Sequence, residues 1–238
     1  MFPLSRFKSL SLVVVSLVAG LAAARTPDAL APRVRLSVFN DAGIPVDTLA
    51  QAAARATAIL AQSGVELAWL DCGRPDPADF SPPTTPCSVV AWPHQLSVRI
   101  LPRARSVGAD IFGQAFLDDA GRGAYSNVYY NNLAANREHT QLSDGDMLGF
   151  VIAHEVGHLL LGSNSHSPSG LMQARWDSSA LHSALHNTLF FTPAQSATLR
   201  ARLSEFLHAL PAASPLYSHV MTNLQIRSFW FEPVEPWL

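Results

Sequence analysis

Met147-Leu148-Gly149-Phe150-Val151-Ile152-Ala153-His154-Glu155-Val156-Gly157-His158 is the stretch on which the reading of this 238-residue chain turns. Ser143, Asp144 and Asp146, just ahead of it, are residues that cap or charge the first turn of a helix, and no proline interrupts the run that follows. The stretch is therefore read as one helix, and because it is apolar almost all round, as a buried one. Residues four apart on a helix share a face with Cβ atoms about 5–6 Å apart, so His154 and His158 aim two imidazoles at one point. Glu155 lies beside them. A buried carboxylate next to two imidazoles is costly unless a partner such as a metal ion completes the set.

Beyond the helix the chain continues Leu159-Leu160-Leu161-Gly162-Ser163-Asn164-Ser165-His166. Gly162 can take a positive φ and turn the chain back past the histidine face. A catalytic zinc has three protein ligands and keeps one position open, so His154 and His158 need a third donor. His166 is the candidate, and Asp177 is the alternative. With a metal in place, Glu155 is positioned to take a proton from water and give it to a leaving group, which is the chemistry of metal-assisted hydrolysis. The competing reading keeps the same ligands as a structural staple or as a cleft that holds a peptide without cutting it. The presence of Glu155 argues against that, since a structural site has no use for the carboxylate.

Ahead of the motif, Val34-Arg35-Leu36-Ser37-Val38-Phe39 alternates and reads as a first strand closed by Asn40-Asp41-Ala42-Gly43. Asp47 is the expected cap of a helix carrying Leu49, Ala53, Ala56 and Leu60, which Ser63-Gly64 stops. Val65-Glu66-Leu67-Ala68-Trp69-Leu70 is a second strand, and strand-helix-strand favours parallel pairing. Gln95-Leu96-Ser97-Val98-Arg99-Ile100-Leu101 is a third, ended by Pro102. One further strand begins at Ile111 and ends at Leu117, another occupies residues 124–130, and the turn-rich link between them predicts an antiparallel hairpin at a sheet edge. Residues 131–141 and 163–177 read as loops. Thr192-Pro193 starts a final amphipathic helix through Leu199, Leu203 and Phe206. His182 and His186 are four apart as well, but no acid lies between them and they read as surface residues; Trp176 reads as packing and Asp177 as a cap.

Composition limits the remaining classes. Arg6 and Lys8, an apolar run from Leu10 to Leu21 and Ala22-Ala23-Ala24 form the layout of a secretory signal over residues 1–24, so the chain is expected outside the cytoplasm, secreted or periplasmic. The apolar run is too short to span a bilayer, and no membrane span is expected after cleavage. Without residues 1–24 the chain carries 14 basic against 18 acidic residues, and nothing in that balance suggests nucleic acid as a partner. Cys72 and Cys87 are the only cysteines, and in an exported chain an isolated pair reads as a disulfide around a Pro-rich loop, two free thiols being the other option. The expected layout is a signal over 1–24, a catalytic domain over 25–210 and an unassigned tail over 211–238.

His154, Glu155, His158, Gly162, His166 and Met172 resemble the metzincin group of zinc metallopeptidases, whose pattern is His-Glu-x-x-His-x-x-Gly-x-x-His followed by a methionine turn. The first three match in spacing and the last three in order only, because the family's glycine position falls on Leu161 and its third histidine on Asn164. The turn is two residues longer here. The order of elements over residues 34–210 is also similar to the family's. The resemblance implies an α+β or α/β domain with a twisted mixed sheet of about five strands, an antiparallel edge strand, an active-site helix and a C-terminal helix. It implies Zn2+ as cofactor, His154, His158 and His166 as its ligands, Glu155 as general base and then acid, and Met172 as packing beneath the ligands. It further implies an endopeptidase whose peptide substrate lies extended along the strand from Ile111 to Leu117. The tyrosine that some members carry two residues beyond the methionine is Ala174 in this chain. Hydrolysis of a non-peptide amide by the same machinery is a further reading.

Overall fold

The strands pair in the order β2-β1-β3-β5-β4, formed by β1 (Arg33–Asn40), β2 (Glu66–Asp71), β3 (Gln95–Leu101), β4 (Gly113–Phe116) and β5 (Tyr125–Tyr129). β1, β2, β3 and β5 are parallel, and β4 runs antiparallel to β5 at one edge. This is the mixed sheet with an antiparallel edge pair that the sequence predicts. The computed structural model describes residues 31–73, 86–103, 108, 110–135 and 141–209. The predicted signal over 1–24, the tail over 211–238 and most of the Pro-rich loop lie outside the described residues.

Alternation in the strands sends one set of side chains to the core. Leu36 stands in register with Leu96 and Val38 with Val98, all fully buried, and each such side chain stabilises the fold by about 1.5–3 kcal/mol relative to exposure. Against them pack Leu49, Ala52, Ala56, Ile59 and Leu60 of α1 (Val46–Gln62), the crossover that sets β1 and β2 parallel. Beside α1 lies α3 (Asp144–Leu161), whose residues from Met147 to Leu160 are all buried. A helix apolar all round is thus placed between sheet and neighbouring helices, where every face has a partner.

Both ends of α3 are fixed by named contacts. Ser143 Oγ accepts from the Asp146 amide at 3.0 Å, and the Asp146 carboxylate accepts from Arg55 Nη2 at 2.7 Å and Gln51 Nε2 at 3.0 Å of α1. At the other end Gly162 has φ 66°, and its amide donates to the His158 carbonyl. Arg202, on α5 (Pro193–Ala209), donates to the Leu161 carbonyl at 2.5 Å and to the Gly121 carbonyl at 3.2 Å. The helix leaves the core through a turn that only its C-cap glycine makes without strain.

Several local expectations are revised. α1 starts from Pro45, whose side chain makes no cap, so Asp47 sits inside the first turn and serves its dipole rather than capping it. Residues 131–141 are not all loop, because Tyr130–Ala135 forms α2, anchored by buried Leu133. Ser178–Leu185 forms α4, which the sequence reading did not assign; Asp177 caps it by accepting from the Ala180 amide at 2.8 Å. β4 is shorter than the strand expected from Ile111 to Leu117. At α5 the expected Thr192 cap is present, with Gln195 Oε1 accepting from the Thr192 amide in return. Cys72 and Cys87 are disulfide-bonded, with Cα atoms 5.7 Å apart. Among the described residues no helix is long and apolar enough to cross a membrane.

Candidate metal centre

His154 and His158 leave α3 on one face with ring centroids 4.7 Å apart and Nε2 atoms 3.0 Å apart. The other nitrogens fix what those Nε2 atoms are. His154 Nδ1 lies 2.9 Å from the Leu171 carbonyl oxygen, and His158 Nδ1 lies 2.7 Å from that of Ser163. A carbonyl only accepts, so each Nδ1 is the donor and each neutral ring presents an Nε2 lone pair. Two lone pairs facing at 3.0 Å repel unless a cation stands beside both.

The third imidazole comes from the turn beyond Gly162. His166 is exposed, with its ring centroid 5.4 Å from that of His154 and 5.0 Å from that of His158. One ligand nitrogen from each of the three residues can be chosen so that all lie within 4.8 Å of one another, a group able to hold a metal ion. The two extra residues are absorbed by a loop tied at both ends. The Ser163 carbonyl accepts from His158, the Ser163 Oγ accepts from the Ser165 amide, and the Ser167 amide donates to the Met172 carbonyl.

The donor set fits zinc. Nitrogens about 2.0–2.1 Å from a tetrahedral zinc stand about 3.3 Å apart, within a few tenths of the spacing of the facing Nε2 atoms, and three imidazoles leave the fourth position open. Burial holds the rings in the neutral form that metals require. It lowers the His154 pKa to about 4, helped by the nearby His158 and opposed by the Leu171 carbonyl, and it also lowers that of His158.

Glu155, next to His154 on the same helix, places its carboxylate against the edge strand. The residue is 5 % exposed, and burial alone raises its pKa to about 8. The carboxylate lies against Gly113 of β4: a Cβ at that position would be 2.4 Å from Oε1. The Tyr129 amide donates to the Phe112 carbonyl, so the register turns the polar backbone of residues 112, 114 and 116 toward β5. The N–H and C=O groups of Gly113 and Ala115 therefore point away from β5, and Gly113 lies against Glu155.

Met172 is buried and its Sδ lies 2.6 Å from where a Cβ on Gly157 would be, against the helix backbone between the two histidines. Trp176 donates from Nε1 to the Leu171 carbonyl at 3.1 Å, the same oxygen that orients His154, and its ring lies 6.2 Å from the His154 ring. Packing is thus the observed duty of Trp176. Asp177 uses a carboxylate oxygen for the α4 cap and is not among the group able to hold a metal. The Leu171 and Ser163 carbonyls and Gly113 had no counterpart in the sequence reading. Carbonyls carry no residue-type signal, and the place of Gly113 depends on a contact 42 residues away in the chain.

No protein-family model matches this chain, and no curated protein matches it. Solved structures do. A zinc-dependent peptidase from Methanocorpusculum labreanum is 16 % identical with a TM-score of 0.45, over 69 % of this chain and 99 % of that one. An archaemetzincin from Methanopyrus kandleri is 16 % identical with a TM-score of 0.44, over 75 % of this chain and 98 % of that one. At that distance the likeness assigns neither family nor substrate.

Proposed function

We propose that this chain is an exported zinc-dependent metalloendopeptidase of metzincin-like type. The observation that carries the proposal is the convergence of His154, His158 and His166 nitrogens, with two Nε2 lone pairs facing each other, beside the buried carboxylate of Glu155. His154, His158 and His166 hold the zinc. When bound, it supplies a Lewis acid that makes water acidic enough to lose a proton near neutral pH and polarises a carbonyl.

The remaining work falls to the chain. A cation held by the three histidines would favour the ionised form of Glu155, which in that form takes the proton from the attacking water and delivers it to the departing amine nitrogen. The Leu171 and Ser163 carbonyls hold the imidazoles in one tautomer and orientation. An extended peptide pairs with the open N–H and C=O groups of Gly113 and Ala115, which brings its backbone alongside Glu155. Met172 supports the helix turn from below. Export is supported by the signal-like layout of residues 1–24 and by the disulfide.

The test is the appearance of new amino termini in a denatured protein incubated with the metal-loaded chain, read by mass spectrometry. Chelation should stop it and added zinc restore it. Tight zinc binding with no cleavage under any of these conditions would favour the non-catalytic module.

A further inference from the structure

We propose that His182 and His186 form a second metal site, a solvent-open two-histidine chelate on α4 that takes a first-row divalent cation, Cu2+ ahead of Ni2+ or Zn2+. The pair repeats the four-residue spacing of His154 and His158, and its ring centroids are 4.1 Å apart. Both residues are exposed. His186 Nδ1 donates to the His182 carbonyl at 2.8 Å, so its neutral ring keeps Nε2 as a free lone pair.

The helix beneath is already formed. Asp177 caps its start, and Ala180 and Ala184 are buried on the opposite face, so the backbone that carries the two rings needs no ordering on binding. Among the described residues no carboxylate forms an ion pair with either histidine. His186 is the C-cap of α4, the negative end of the helix dipole, which favours a positive ion. Imidazole nitrogen suits copper, nickel and zinc, and the affinity of one such site rises to its maximum at Cu2+. Two protein ligands leave the remaining positions to water, so the ion exchanges freely. The buried three-histidine group is a separate set of residues, and this site does not rest on the peptidase reading.

The test is equilibrium dialysis of the full metal-free chain and of His182→Ala and His186→Ala against Cu2+, with bound copper counted and its electron paramagnetic resonance recorded. The wild type should hold one more equivalent than either variant, and the nitrogen hyperfine signature of that extra equivalent should disappear in both. Equal copper in all three chains, or an extra equivalent that survives both substitutions, would overturn the proposal. Because the comparison is a difference, it reads the same whether or not the buried site is filled. Both positions are on the surface, and circular dichroism checks that the variants keep the fold.

Discussion

Gly113 on the edge strand lies directly against the Glu155 carboxylate on the buried helix: a Cβ at 113 would stand 2.4 Å from Oε1 and 2.6 Å from Cδ. The atoms in the way are the far end of a flexible side chain, so Gly113→Ala displaces the carboxylate and leaves the backbone in place. The expected result is a folded protein with unchanged zinc content and a loss of kcat/KM on the order of 10²-fold, since misplacing a catalytic group by about 1 Å costs that much. Steady-state kinetics with metal analysis of the same sample checks it. Full activity in the alanine variant would show that Glu155 does not act from this position.

The titration of Glu155 gives a stability prediction for the metal-free chain. Its folded pKa is raised by burial from 4.5 to about 8, so its contribution is fully present below the unfolded value and is lost as pH rises through about 8. His154 works in the opposite sense: burial lowers its pKa from 6.5 to about 4, so its contribution is present above 6.5 and is lost as pH falls toward 4. Glu155→Gln removes the first effect and keeps the second. The variant should therefore gain on the wild type as pH rises from about 5 to about 8, reaching a few kcal/mol. Denaturant midpoints of the two metal-free proteins across that range measure it, and a constant difference would contradict the burial of the carboxylate.

Three substitutions separate the readings of the lengthened turn. His166→Ala should lose zinc affinity, Asn164→Ala should keep it, and Asp177→Ala should keep it while losing about 1 kcal/mol of stability with the α4 cap. Metal competition titrations and denaturant curves on the three variants supply the comparison. Zinc lost from Asp177→Ala and retained by His166→Ala would reverse the assignment.

Arg202 links the link between β4 and β5 to the end of the motif helix, donating to the Gly121 and Leu161 carbonyls and lying over the Trp92 ring at 5.3 Å. Arg202→Ala leaves those half-buried carbonyls without their charged donor. It should destabilise the protein by about 1–3 kcal/mol with little change in the denaturant slope. An unchanged midpoint would mean that water replaces the guanidinium at no cost.

What the sequence discloses follows from how each element is specified. β3 is read to the residue because Leu96, Val98 and Ile100 alternate with Gln95, Ser97 and Arg99 until Pro102 stops the run. The α3 cap at Ser143 and the exit at Gly162 are legible because both use side-chain or φ preferences particular to one residue type. α2 escapes notice because Leu133 is its sole buried residue, and one apolar position makes no period. α4 buries only Ala180 and Ala184, which are too small to stand out among serines and histidines. The three histidines and Glu155 are visible as residue types at a spacing, whereas the Leu171 and Ser163 carbonyls that orient the rings depend on where distant backbone arrives.

The most direct test of the account is zinc content and peptide-library cleavage measured side by side for the wild type and Glu155→Ala. The expected result is tight zinc in both proteins and new cleavage products from the wild type alone. Zinc in both with cleavage in neither, or equal cleavage by both, would contradict hydrolysis driven from Glu155 beside a three-histidine metal centre.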